Sequence, residues 1–120
     1  LDPDVCLPAF GQGIRALECR VDRPEVGRIL SSACDPAVGP CARAERELMR
    51  ALGGGCKLAL AALATLSGNT LILRGVVGDH HEGRVVRDRW EGAVGASLDG
   101  AREMAQRLRA AAAREGISLG

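Results

Sequence analysis

The chain has 120 residues, 47% of them apolar, enough to bury the core of one domain; Trp90 and Phe10 are its aromatic residues, so that core must be aliphatic. A net charge of +1 with acids and bases interleaved excludes the basic footprint of a nucleic-acid binder and a polybasic membrane patch, and no apolar run is long enough to span a bilayer. Five cysteines, at positions 6, 19, 34, 41 and 56, form no C-x-x-C pair and leave one unmatched, which fits free thiols in a reducing, cytoplasmic setting.

The opening Leu1-Asp2-Pro3-Asp4, without an initiator Met, leads us to expect a piece of a longer protein. Residues 1–13 hold Pro3, Pro8, Gly11 and Gly13 and read as an irregular hinge or connector. Ile14 to Val21 alternates partly and is expected to be a strand bounded by Asp22. Asp22 or Arg23 then precedes Pro24-Glu25, a helix start with proline and an acid in its first turn, and Val26, Ile29, Leu30 and Ala33 give a helical stripe to about Ser32. Asp35-Pro36 is a second helix start, but Pro40 conflicts with it, because a proline inside a helix costs about 3 kcal/mol. Either the helix begins at Pro40 or a broken first turn runs from Asp35. Beyond it the stripe Cys41, Ala44, Leu48 and Leu52 continues to Gly53-Gly54-Gly55, a glycine stop.

Leu58 to Leu66 is apolar throughout, and periodicity alone leaves helix and buried strand open. Its short length, the Ser67-Gly68-Asn69 turn and the β-rich Thr70 to Val77 favour a strand and hairpin. The stretch from Gly78 to Gly83 reads as a second hairpin loop, returning through Arg84 to Trp90. Ser97 can cap a last helix whose apolar positions Leu98, Ala101, Ala105, Leu108 and Ala112 step by three and four towards Gly116. The order from residue 35 is helix-strand-strand-strand-helix. It predicts an α+β fold, a three-stranded antiparallel sheet with helices on one face, preceded by a strand-helix segment at 14–33.

Three motifs stand in order along the chain. Leu7-Pro8-Ala9-Phe10-Gly11-Gln12-Gly13 is followed by Leu17-Glu18-Cys19-Arg20; Ala44-Glu45-Arg46 leads through a helix into Gly54-Gly55-Cys56; and Leu71 to Gly78 is a strand-like run after it. Together they resemble the C-terminal portion of the porphobilinogen deaminase (hydroxymethylbilane synthase) family. The resemblance implies a hinge at 1–13, a strand-helix piece of the N-terminal domain at 14–33, and a C-terminal cofactor-attachment domain at 35–120. It further implies a transferase of tetrapyrrole and heme biosynthesis that condenses four porphobilinogen into hydroxymethylbilane with release of ammonia. The growing polypyrrole would stand on a dipyrromethane cofactor held by a thioether to Cys56, with Gly54 and Gly55 leaving room for pyrrole rings. The catalytic aspartate and substrate-binding arginines of the family would lie in the missing N-terminal domains, so no catalytic residue is assigned here and the chain alone is expected to be inert. Ala59 stands where most members carry a proline, Gly53 where an acid is frequent, and Asp35 to Pro40 lacks the usual His and Thr character.

Each candidate has a structural alternative. A thiolate attacking an electrophilic azafulvene carbon gives a stable C–S bond, whereas a cysteine after a helix stop can also be a small apolar filler. Arg43, Arg46 and Lys57 could neutralise cofactor carboxylates or simply be solvated helix charges. Gln12 could bind a pyrrole carboxylate or serve the hinge alone. Glu45 and Arg46, being adjacent, point to different faces, while Glu47 and Arg50 are spaced to pair. The Gly11-Gln12-Gly13-Ile14-Arg15-Ala16 string lacks the preceding strand and following helix of a dinucleotide site, so nucleotide binding is the weakest reading. His80-His81 with Asp79 and Glu82 has no metal-ligand spacing and reads as a solvated hairpin tip, so no metal is expected. The competing reading of the whole chain is a non-catalytic α+β interaction module that docks a partner through residues 14–33.

Overall fold

A computed structural model describes residues 2–53, 59–79 and 82–119. Gly54, Gly55, Cys56, Lys57, His80 and His81 therefore lie outside the described residues. The elements are α1 (Pro24–Ser32), α2 (Val38–Ala51), β1 (Ala59–Ser67), β2 (Thr70–Gly78), β3 (Val85–Ala93) and α3 (Ser97–Arg114), with a single 3-10 turn, Val94–Ala96, before α3.

The three strands form one antiparallel sheet in the order β1-β2-β3, as the sequence order predicts. Ser67 pairs with Thr70, which leaves Gly68 and Asn69 as a two-residue loop. Gly68 takes φ +58° at its first position, the requirement of a type II′ turn, whose twist matches the flanking strands.

One face of the sheet is covered by α2 and α3. Along β2 burial alternates strictly, and Leu71, Leu73 and Val77 are fully buried beneath Ala44, Leu48 and Leu52 of α2 and Ala101, Met104, Leu108 and Ala112 of α3. The lining is aliphatic, as the scarcity of aromatics requires. Small residues let the layers close: Ala62 and Ala64 of β1 are buried beside α2, and Gly75 lies under Met104 and Leu48, where a Cβ would come within 2.8 Å and 3.0 Å of their side chains. Trp90 of β3 lies against Gly100 of α3, the closest glycine approach in this layer.

The two alternatives for the start of α2 meet in the structure. Asp35 caps a separate turn, its Oδ1 accepting the Ala37 N–H at 2.8 Å and its carbonyl the Val38 N–H at 3.2 Å. Pro40 then falls in the first helical turn, where no intrahelical acceptor exists for its missing N–H, and the penalty of an interior proline does not arise.

Three expectations are corrected. Ile14 to Val21 forms no strand; it runs irregularly, with Leu17 and Val21 exposed, because a strand needs a ladder partner and none of the described residues supplies one. Ser97 is the first helical residue rather than the cap: the 3-10 turn winds directly into α3, Ala96 takes the cap position, and Ser97 is buried. Leu98 is 37% exposed, since the buried stripe runs Ser97, Ala101, Met104, Ala105, Leu108, Ala112, one residue out of register with the expected one at its start. Helix α1 forms as predicted, with Pro24 first and Glu25 in the first turn, yet none of its residues is buried and Ile29 is exposed.

Candidate functional site

The site is framed by the end of α2 and the start of β1, the two stems of the segment that contains Cys56. The stripe Cys41, Ala44, Leu48 and Leu52 is buried in full, which fixes the helix against the sheet and decides where it can stop. Leu52 N–H donates to the Leu48 carbonyl at 2.9 Å and Gly53 N–H to the Arg50 carbonyl at 3.1 Å. Gly53 then takes φ +77°, the left-handed conformation that closes a helix and that side chains with a Cβ resist.

A second helix secures this stop. Arg109 of α3 donates from Nε and Nη2 to the Ala51 carbonyl, at 3.2 Å and 2.9 Å, so a cation sits on the negative end of α2 and satisfies one of its free carbonyls. A Cβ on Gly53 would come within 3.3 Å of the same guanidinium. Sequence reasoning passed over Arg109, which lies far from the glycines along the chain and carries no local signal.

Glu45, read in the sequence only as part of the Ala44-Glu45-Arg46 motif, has a tertiary role. Its residue is 4% exposed, and its carboxylate bridges two distant pieces of backbone: Oε2 accepts the Gly11 N–H at 2.8 Å and Oε1 the Ala64 N–H at 2.8 Å. The signal was present, because Glu45 follows Cys41 by four and precedes Leu48 by three, placing an acid inside the apolar stripe. Gly11 belongs to the connector, where Gln12 Oε1 accepts the Ala9 N–H at 3.0 Å and Gln12 N–H donates to the Ala9 carbonyl at 3.0 Å, closing a turn. Gly11 at φ +67° and Gly13 at φ +88° allow the chain to reverse there. The groove between this connector and α2, about 230 Å³, is lined by Phe10, Ile14, Ala16, Ala42, Arg46 and Met49. No helix follows Gly13 directly, so the dinucleotide pattern lacks its structural context.

Charges near the site fall into pairs. Glu47 accepts from Arg50 Nη2 at 2.6 Å and from Arg102 Nε at 2.7 Å, so the predicted Glu47–Arg50 pair forms and gains a partner from α3. Hydrogen bonds from these two guanidinium groups pull the Glu47 carboxyl down to about 2. Arg43 and Arg46 are exposed on α2, one on either side of Ala44 and Glu45. Burial, with Glu45 and Asp35 nearby, pushes the Cys41 thiol up, away from nucleophilic chemistry at neutral pH. Cys6, Cys19 and Cys34 are exposed free thiols. Among the described residues no group of three or more His, Cys, Asp or Glu side chains is placed to hold a metal ion, and no helix is long and apolar enough to cross a membrane.

Comparison with known proteins points one way. The family described as porphobilinogen deaminase, C-terminal domain, matches residues 40–114, which contain α2 from Pro40 onward, all three strands and α3 through its last residue. A porphobilinogen deaminase of Roseiflexus sp. (strain RS-1) is 42% identical over 94 residues, covering 78% of this chain and 31% of that protein. Those of Moorella thermoacetica and Chromobacterium violaceum are 36% and 38% identical over 111 and 120 residues, each alignment covering 36% of the relative. The chain thus spans about a third of the length of the curated relatives it matches.

Proposed function

Because the chain belongs to the porphobilinogen deaminase family and corresponds to its C-terminal domain, we propose that it is the cofactor-bearing part of such a transferase, with Cys56 as the point of attachment. The observation that carries the reading is the family match across residues 40–114, which runs through the helix stop at Gly53 and on to Cys56. A dipyrromethane held there through a thioether supplies the primer on which porphobilinogen units are added. The residues of this chain have a supporting task. Gly53 ends α2 in a conformation open to glycine, and Arg109 closes the helix terminus behind it. Cys56 would hold the cofactor through a thioether, its sulfur adding to the electrophilic carbon of an azafulvene whose π bond opens as its nitrogen takes up the proton, while Gly54 and Gly55 carry no side chains to obstruct the rings.

On this reading residues 1–13 are the hinge, 14–33 belong to a domain completed by the N-terminal part of the protein, and Gln12 is a weak candidate for contact with a substrate carboxylate. The partners are porphobilinogen, the growing polypyrrole and the remaining domains, and the compartment is the cytoplasm. Catalytic acid–base chemistry belongs to those domains, so the 120-residue chain alone leaves porphobilinogen unconsumed.

Intact mass and peptide mapping of the full-length protein carrying this sequence test the proposal. Two linked pyrrole units on Cys56 are expected; a free Cys56 after incubation with porphobilinogen overturns it. The exposed Leu17, Val21 and Ile29 favour a second reading, a non-catalytic interaction module that docks a partner. Concentration-dependent dimerisation with an unmodified Cys56 would bring that reading forward.

A further inference from the structure

We infer that Glu45 is a positioning residue that binds the connector and both stems of the Cys56 segment into one body; its bearing on turnover rests on the deaminase reading. The Glu45 carboxylate is unusually buried. A carboxylate that is 4% exposed has left water, a cost recovered only through strong, well-directed hydrogen bonds. Glu45 finds both in backbone amides, Gly11 at 2.8 Å and Ala64 at 2.8 Å.

These three points belong to three parts of the chain. Glu45 is on α2, the stem before the segment; Ala64 is on β1, the stem after it; Gly11 is in the connector. β1 is an edge strand, and the Ala64 N–H bonded to Glu45 is a donor that would otherwise face outward, away from β2. One side chain thereby occupies a donor on the free edge of β1 and pins the turn at Gly11, whose φ of +67° lets its N–H point at the helix. Any swing of the α2–β1 unit must carry Gly11 with it. Bending in the connector is then displaced away from Gly11, and the two described stems on either side of Cys56 stay tied to the connector through the carboxylate.

Glu45→Gln keeps the shape but turns one acceptor into a donor, leaving an N–H facing an N–H. Glu45→Asp keeps the charge on an arm too short to span both amides, and is used where Glu45→Gln does not fold. Glu47→Gln, which weakens the ion pairs of a neighbouring acid on the same helix with Arg50 and Arg102 and leaves the Glu45 bridge intact, is the control for helix stability. In the full-length protein the Glu45 variants are expected to lower kcat for porphobilinogen by about tenfold, with KM held within about twofold, whereas Glu47→Gln leaves both unchanged. Amide exchange at Gly11 or Ala64 should rise by about tenfold in the Glu45 variants alone. Unchanged exchange overturns the inference, as does a kcat equal to that of Glu47→Gln or a rise in KM at constant kcat. A wild-type protein that does not consume porphobilinogen overturns the deaminase reading instead, and the exchange rates still decide whether the bridge holds.

Discussion

Trp90 and Gly100 show how one residue can govern a layer. The indole lies over the Gly100 backbone, and a Cβ there would fall inside the ring. Alanine is the better helix former by about 1 kcal/mol, so propensity alone favours Gly100→Ala. The clash decides otherwise, because a packed indole cannot step aside as the end of a flexible chain can. Net destabilisation of about 1–3 kcal/mol is expected, read as a lower urea midpoint at unchanged m-value. Glu47 answers to pH. Its folded pKa of about 2 lies below the ordinary 4.5, so the stability it lends is complete above pH 4.5 and is lost as pH falls towards 2. A stability profile of Glu47→Gln should lack that slope, and added salt should flatten it in the parent, since Arg50 and Arg102 are largely exposed.

Among the elements, α2 is held at both ends, at its start by a residue just before it and at its end by one from α3. Asp35 turns the chain into its start and Arg109 closes its end. Arg109→Ala leaves the Ala51 carbonyl to water and removes a cation from the helix terminus, for an expected loss of about 0.3–1 kcal/mol in thermal or urea unfolding. The contrast is α1, equally well formed in sequence terms, with Pro24 and Glu25 at its start, but with no buried residue. Ile14 to Val21 before it lacks a ladder. These residues should be the first to exchange: amide exchange on the 120-residue chain is expected to show 14–33 nearly unprotected while β2 is slowest. Protection of 14–33 equal to that of β2 would contradict this.

At the scale of the whole molecule, burial is unevenly spread: helix α1 has no buried residue, while the sheet and the two later helices enclose the core. Among the described residues, every buried side chain of the aliphatic core, from Cys41 to Ile117, lies after residue 35, and Phe10 of the connector packs against that core from outside. Much of this was legible beforehand. Strand and helix order from residue 35, a turn around Gly68-Asn69, the stripe from Cys41 to Leu52 and the glycine stop at Gly53 all follow from local chemistry: periodicity, turn residues and the conformational freedom of glycine. What only the tertiary structure decided are the matters in which a residue answers to a distant partner. Ile14 to Val21 lacks a neighbour to pair with, the stripe of α3 begins at Ser97 instead of Leu98, Trp90 rests on Gly100, and Arg109 closes α2. Glu45 stands between the two: its place in the apolar stripe was readable, but its partners Gly11 and Ala64 were not. The reason is physical, for a backbone amide looks the same at every position in a sequence, and only packing determines which ones a buried carboxylate will meet.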